Sequence, residues 1–173
     1  VSYSESTSGV EFEPNNESTS MGILVGETIT GQLSSKSDLD YYYVSAEASG
    51  TLTLKFNSSY IGGYNDYLVD VLDSDGNVLA GARCERGDYC QNSIGDFDKS
   101  LTLSTGLSSS GNYFIRIKST TGYTAPPSTS YQLKVSYSES TSGVEFEPNN
   151  ESTSMGILVG ETITGQLSSK SDL

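Results

Sequence analysis

The chain has 173 residues, of which 22 are Asp or Glu and 9 are Lys or Arg, for a net charge of −13 at neutral pH. Such a surface repels nucleic acid and anionic membranes, and no apolar run outlasts the short stretch at 21–26, so no membrane insertion is expected. His and Trp are absent, which removes the commonest general base and the indole platforms common in sugar sites.

In chain order, the acid-rich segment Ser4–Asn16 is polar apart from Val10 and Phe12 and reads as a join between modules. A single helical turn is expected around Asn16–Met21. Thr28–Leu33 is the first clear strand, with Ile23–Val25 also strand-forming. Tyr41–Ala46 alternates, turning Tyr42, Val44 and Ala46 to one face, and Thr51–Phe56 turns Leu52, Leu54 and Phe56 inward. Tyr67–Leu72 and Val78–Gly81 flank Asp73–Asn77, a hairpin turn by composition. Lys99–Leu103, Asn112–Lys118 and Ser130–Val135 complete the series, with Tyr113, Ile115, Ile117, Tyr131, Leu133 and Val135 inward. Period-two alternation with β-branched and aromatic residues is the half-buried strand signature. About eight strands joined by Gly-, Ser- and Asn-rich turns predict an all-β, jelly-roll-like sandwich.

Residues 1–39 recur without a substitution as residues 135–173, an offset of 134. A period this long is a whole domain, since solenoid units span about 20–50 residues. Residues 1–137 therefore read as one complete module and 138–173 as the start of the next. Either copy could complete the core supplied by residues 40–134. Loop closure favours the upstream copy, which is joined directly to Tyr41. The downstream copy could act as a circular permutant or enter a neighbouring molecule by domain swapping. The partners expected are neighbouring identical repeats, including head-to-tail self-association.

Cys84 and Cys90 are the only cysteines. A redox or metal pair is one reading, but two thiols make a poor zinc site and the spacing is not C-x-x-C. A small disulfide-closed loop in an oxidising compartment fits better. Asp73–Asn77 resembles the start of an EF-hand loop, but its twelfth position is Cys84 rather than a bidentate Glu. Without His or an S-x-x-K signature no nucleophile–base pair emerges, so no enzyme is expected.

One constellation stands apart: Glu11, Glu13, Asn15 and Asn16 in E-F-E-P-N-N, then Asp38 and Asp40 in S-D-L-D-Y. Alternate residues of an extended segment point the same way, so their oxygens can converge, and hard cations such as Ca²⁺ take six to eight oxygen ligands. By spacing alone, a solvated acidic linker accounts for the pattern better than a cation site does. These two stretches, with G-E-T-I-T-G-Q-L, G-N-Y-F-I-R-I and Y-Q-L-K-V, resemble the bacterial pre-peptidase C-terminal domain family, which includes collagen-binding modules of secreted collagenases. The resemblance covers about residues 10–137 and implies a jelly-roll-like sandwich. It also implies a Ca²⁺ site at Glu11, Glu13, Asn15, Asn16, Asp38 and Asp40, with a partial second copy at Glu145, Glu147, Asn149, Asn150 and Asp172. The expectation is a non-catalytic, calcium-stabilised extender module of an extracellular repeat protein such as an adhesin. The alternative is a module of a secreted protease that binds collagen, another matrix protein or polysaccharide.

Overall fold

Alternation of apolar and polar residues becomes nine strands in the computed structural model, which describes residues 9–35, 37–58, 67–84, 100–119 and 130–139 together with Ile163 and Gly165. They are β1 (Met21–Gly22), β2 (Thr28–Gly31), β3 (Leu39–Ala46), β4 (Gly50–Ser58), β5 (Tyr67–Leu72), β6 (Val78–Cys84), β7 (Leu101–Leu107), β8 (Gly111–Ser119) and β9 (Tyr131–Glu139). Two sheets form, ordered β1-β3-β8-β5-β6 and β2-β9-β4-β7. Every ladder is antiparallel except β1 with β3.

The inner faces carry the residues that the alternation points inward. Tyr42 and Val44 of β3, Ile115 and Ile117 of β8 and Val69 and Val71 of β5 meet Leu52, Leu54 and Phe56 of β4 and Leu133 and Val135 of β9. Burying each such side chain stabilises the fold by about 1.5–3 kcal/mol. The first copy of the duplicated segment supplies β1 and β2 and adds Met21, Ile23, Ile29 and Leu33 to this core.

Some expectations shift. The strand beyond the expected eight is β1, two residues long and so below the reach of alternation. Ile23 is buried behind a hydrogen bond from its N–H to the Tyr43 carbonyl, whereas Leu24 and Val25 are exposed and not in a strand. The expected helical turn is a 3-10 turn at Glu17–Thr19. At the β5–β6 hairpin, Asp73 Oδ1 accepts from the N–H groups of Asp75 and Asn77, closing the turn. Gly76 there has φ +84°, a conformation that suits glycine. Cys84, buried at the end of β6, is disulfide-bonded; Cys90 lies outside the described residues. Among the described residues no helix is long and apolar enough to cross a membrane.

The outer face of the five-stranded sheet holds a buried charge. Asp70 is 3% exposed, and Arg116, its partner in register on β8, donates to Asp70 Oδ2 from Nε at 3.0 Å and also from Nη2. A Cβ at Gly81 would come within 2.8 Å of Asp70 Oδ1, so the neighbouring strand leaves room for that carboxylate. Removing only the cation strands a desolvated charge, which costs more than removing both. Arg116→Met is expected to destabilise the domain by about 3 kcal/mol in urea unfolding, and the double change Asp70→Leu/Arg116→Met to recover most of that.

Candidate metal centre

The sandwich closes at one end with the start of β3, the start of β9 and the end of β2, and the entry segment at residues 9–16 is laid across them. Backbone bonds place this segment. Thr30 donates to the Gly9 carbonyl at 2.7 Å, Glu11 to the Thr30 carbonyl at 3.0 Å, and Tyr41 to the Asn15 carbonyl at 2.6 Å. Val10 bridges Thr30 in parallel. Glu11 and Asn15 are thus fixed from both sides, and the Glu13–Pro14 peptide between them is cis.

Glu11 is saturated with donors. Its Oε1 accepts from the Gln32 N–H at 2.5 Å, and its Oε2 from Tyr42 Oη at 2.7 Å and from Tyr131 Oη and Asn15 Nδ2 at 3.1 Å. Across the sandwich Tyr131 also donates to Asp40 Oδ2, and the two phenolic oxygens are 2.6 Å apart. Two phenolic protons cannot serve all of these contacts when both carboxylates are charged. With one more proton, on Asp40, a consistent chain forms in which Asp40 donates to Tyr131, Tyr131 to Tyr42 and Tyr42 to Glu11, leaving the 3.1 Å Tyr131–Glu11 approach without a proton.

The electrostatics agree. Asp40, fully buried, has its pKa pushed up to about 8, chiefly by burial and then by the charge of Glu11; the Tyr131 hydrogen bond works the other way. Glu13 is raised, first by burial, while the bond from the Asn15 N–H opposes the shift and Asp38 and Glu11 add to it. Burial holds both tyrosines protonated well above their usual range.

Carboxylate oxygens of Glu11, Glu13 and Asp40 all lie within 4.8 Å of one another. Beside them, Asn15 Oδ1 and Asp40 Oδ1 are buried with no hydrogen-bond partner, although buried acceptors are rarely left alone. Two orphaned oxygens among three clustered carboxylates suit a hard cation. Glu11, Glu13, Asp40 and Asn15 are the residues that would hold it, and when bound it would supply the positive charge that a proton otherwise provides.

Two sequence candidates put their oxygens to other uses. Asn16 caps the 3-10 turn, its Oδ1 accepting from the Ser18 N–H at 3.3 Å, Ser18 Oγ at 2.9 Å and Thr19 Oγ1 at 3.2 Å, because a helix start leaves N–H groups that need an acceptor. Asp38 lies just before β3, near enough for its charge to raise Glu13 and Asp40 but outside the group of three carboxylates. Its Oδ2 accepts from the Ser34 N–H at 2.5 Å and its Oδ1 from the Leu39 N–H at 3.0 Å. Glu145, Glu147, Asn149, Asn150 and Asp172 lie outside the described residues.

Alternation marks Tyr42 and Tyr131 as inward-facing but gives no sign that they meet. Gly31 carried no signal at all. A Cβ there would come within 2.5 Å of the Tyr131 ring and 2.6 Å of Glu11 Oε2, so the Glu11–Tyr131 contact requires a glycine opposite it in register.

No family model matches the chain, and no curated protein matches it. Among solved structures it is similar to the pre-peptidase C-terminal domain of a collagenase from Bacillus anthracis, with 15% identity, a TM-score of 0.46, and coverage of 66% of this chain and 91% of that one. It is also similar to CsCBM6-3 from Clostridium stercorarium in complex with cellobiose, with 11% identity, a TM-score of 0.28, and coverage of 68% and 71%. A third, described as CBM4, shows 9% identity, a TM-score of 0.30, and coverage of 63% and 78%.

Gly31→Ala is expected to cost about 2 kcal/mol through overpacking and to weaken metal affinity at least about tenfold, read by thermal unfolding and metal titration. The pH response of metal-free protein follows from Asp40. An acid whose pKa is raised in the fold contributes its full stability below the unfolded value, 3.8, and loses it as pH climbs towards about 8. The unfolding free energy of metal-stripped protein, from urea titration, should fall across that window by up to about 1.4 kcal/mol per pH unit. Asp40→Asn should flatten the slope, and a variant as steep as the native chain would contradict the assignment.

Proposed function

We propose that this chain is a non-catalytic, calcium-stabilised extender module of a secreted bacterial repeat protein of the adhesin kind. The observation that carries this reading is the buried pair of orphaned oxygens, on Asp40 and Asn15, beside three carboxylates within 4.8 Å. All the donors are hard oxygens with neither imidazole nor thiolate among them, a set that suits Ca²⁺ and disfavours transition metals. The absence of any nucleophile–base pair supports a non-catalytic role.

On this reading the ion holds the entry segment onto the sandwich. Among the described residues the entry segment is held to β2 from Gly9 on, β9 is described as far as Glu139, and the repeat places the next Gly9 equivalent at Gly143. In sequence the next entry segment therefore follows β9 closely, and a short join bends little. A string of such modules extends rather than coils, and its negative surface keeps neighbouring strings apart.

A ligand-binding module is the second reading, favoured by a cavity of about 370 Å³ on the outer face of the five-stranded sheet. Tyr41, Phe114 and Arg116 line its floor, with Glu17 and Asp73 at its walls. Binding of collagen, another matrix protein or a polysaccharide that is lost in Phe114→Ala, with calcium affinity unchanged, would favour that role.

The test is calorimetry with Ca²⁺ and thermal unfolding with and without chelator. Calcium at about 100 times its Kd should add about 2.7 kcal/mol, a rise of about 10 °C for a domain of this size. Glu13→Gln should lower the affinity at least about tenfold. No heat of binding and an unchanged melting temperature would rule the reading out.

A further inference from the structure

Residues 9–38 hold a peripheral place in the sandwich although their side chains reach its centre. Among the described strands, β1 pairs with β3 alone and forms one edge of the five-stranded sheet, while β2 pairs with β9 alone and forms one edge of the other. Met21, Ile23, Ile29 and Leu33 plug the core from these edges. The segment can therefore leave without parting any two of the strands β3–β9 from each other, and what it exposes is two unpaired edges and a set of apolar holes, a template for another strand-forming segment.

The chain carries such a segment. Residues 143–172 match residues 9–38 at every position, so every contact made by the first copy is available to the second. Its own sandwich is out of reach while β9 stays paired to Glu139. The place of Gly9 lies level with Leu133, two strands to the side, which is about 22 Å from Glu139 at ordinary strand spacings. Residues 139 to 143 span at most about 14 Å when fully extended.

We propose that residues 143–172 of one chain take the place of residues 9–38 in the sandwich of a second copy, linking chains head to tail. The exchange brings Glu145, Glu147 and Asn149 of the donor to Asp40 of the acceptor. It competes with the acceptor's own segment, whose direct attachment to β3 gives it an effective concentration in the millimolar range. Association is therefore slight in dilute protein and pronounced near about 1 mM.

The full chain and two variants test this by light scattering after size exclusion and by thermal unfolding, all without added metal. Ile163→Asp places a charge in the donor copy at the counterpart of Ile29, which is fully buried. Ile29→Asp places the same charge in the resident copy. The native chain is expected to be monomeric at about 10 µM and to form dimers and larger species near about 1 mM, the concentration at which the tethered segment meets equal competition. Ile163→Asp should stay monomeric at both concentrations with an unchanged melting temperature. Ile29→Asp should fold only in assemblies, with a melting temperature that rises with protein concentration. A native chain that is monomeric near 1 mM, Ile163→Asp chains that still associate, or Ile29→Asp chains that are folded monomers or unfolded at every concentration would each overturn the proposal.

Discussion

Asp40 is a carboxylate sealed inside a sandwich, and the architecture at that end follows from what it needs. Beneath it lies an aromatic floor, with the ring of Phe56 5.2 Å from Tyr67 and 5.4 Å from Tyr131. Such surroundings screen poorly, so the repulsion between Glu11 and Asp40 is felt strongly. Burying an isolated charge is prohibitive unless it is neutralised or paired. A proton shared along Asp40, Tyr131, Tyr42 and Glu11 is one solution, and a divalent cation is the other. The Tyr67 hydroxyl, also buried without a hydrogen-bond partner, is held protonated first by burial and then by the charge of Asp40.

The same need fixes residues far apart in sequence. Tyr131 is 91 positions from Asp40 and 120 from Glu11, yet it bonds to both, and Gly31 is bare so that its ring can lie there. The two sheets are thereby joined by polar contacts as well as by apolar packing. A cluster that couples the start of β3, the start of β9 and the entry segment answers to changes in any of them, so a substitution at one bears on the packing of all three.

Much of this was legible in the sequence because a strand announces itself locally. Tyr42, Val44 and Ala46, or Leu52, Leu54 and Phe56, face inward by simple alternation, and they are buried. β1 escaped because two residues cannot show a period. In the cluster, Glu11, Glu13, Asn15 and Asp40 were recognisable as alternating oxygen donors. Asn16 and Asp38 have the same chemistry and adjoining positions, but local demands take them: Asn16 caps a turn, and Asp38 closes the loop before β3. Spacing shows which oxygens can converge, and the competition from nearby N–H groups decides which do. Tyr131 and Gly31 belong to the cluster through sheet register and the meeting of two sheets, neither of which is a local property.

The entry segment shows what a cation at this place would change mechanically. Its backbone is held by two bonds to Thr30 and one from Tyr41, far fewer than the nine paired residues joining β4 to β9. It runs parallel to β2, so tension arriving from the preceding residues would drag it along its neighbour rather than peel it outward. Resistance would then rest on side chains, chiefly Glu11, which three donors outside the segment hold: the Gln32 N–H and the Tyr42 and Tyr131 hydroxyls. In the metal-free state this end is also where like charges crowd, so the element bearing the load is the one that repulsion loosens. An ion bound by Glu11, Glu13, Asn15 and Asp40 would turn that repulsion into attraction and tie the segment to β3, in the middle of the module rather than at its edge.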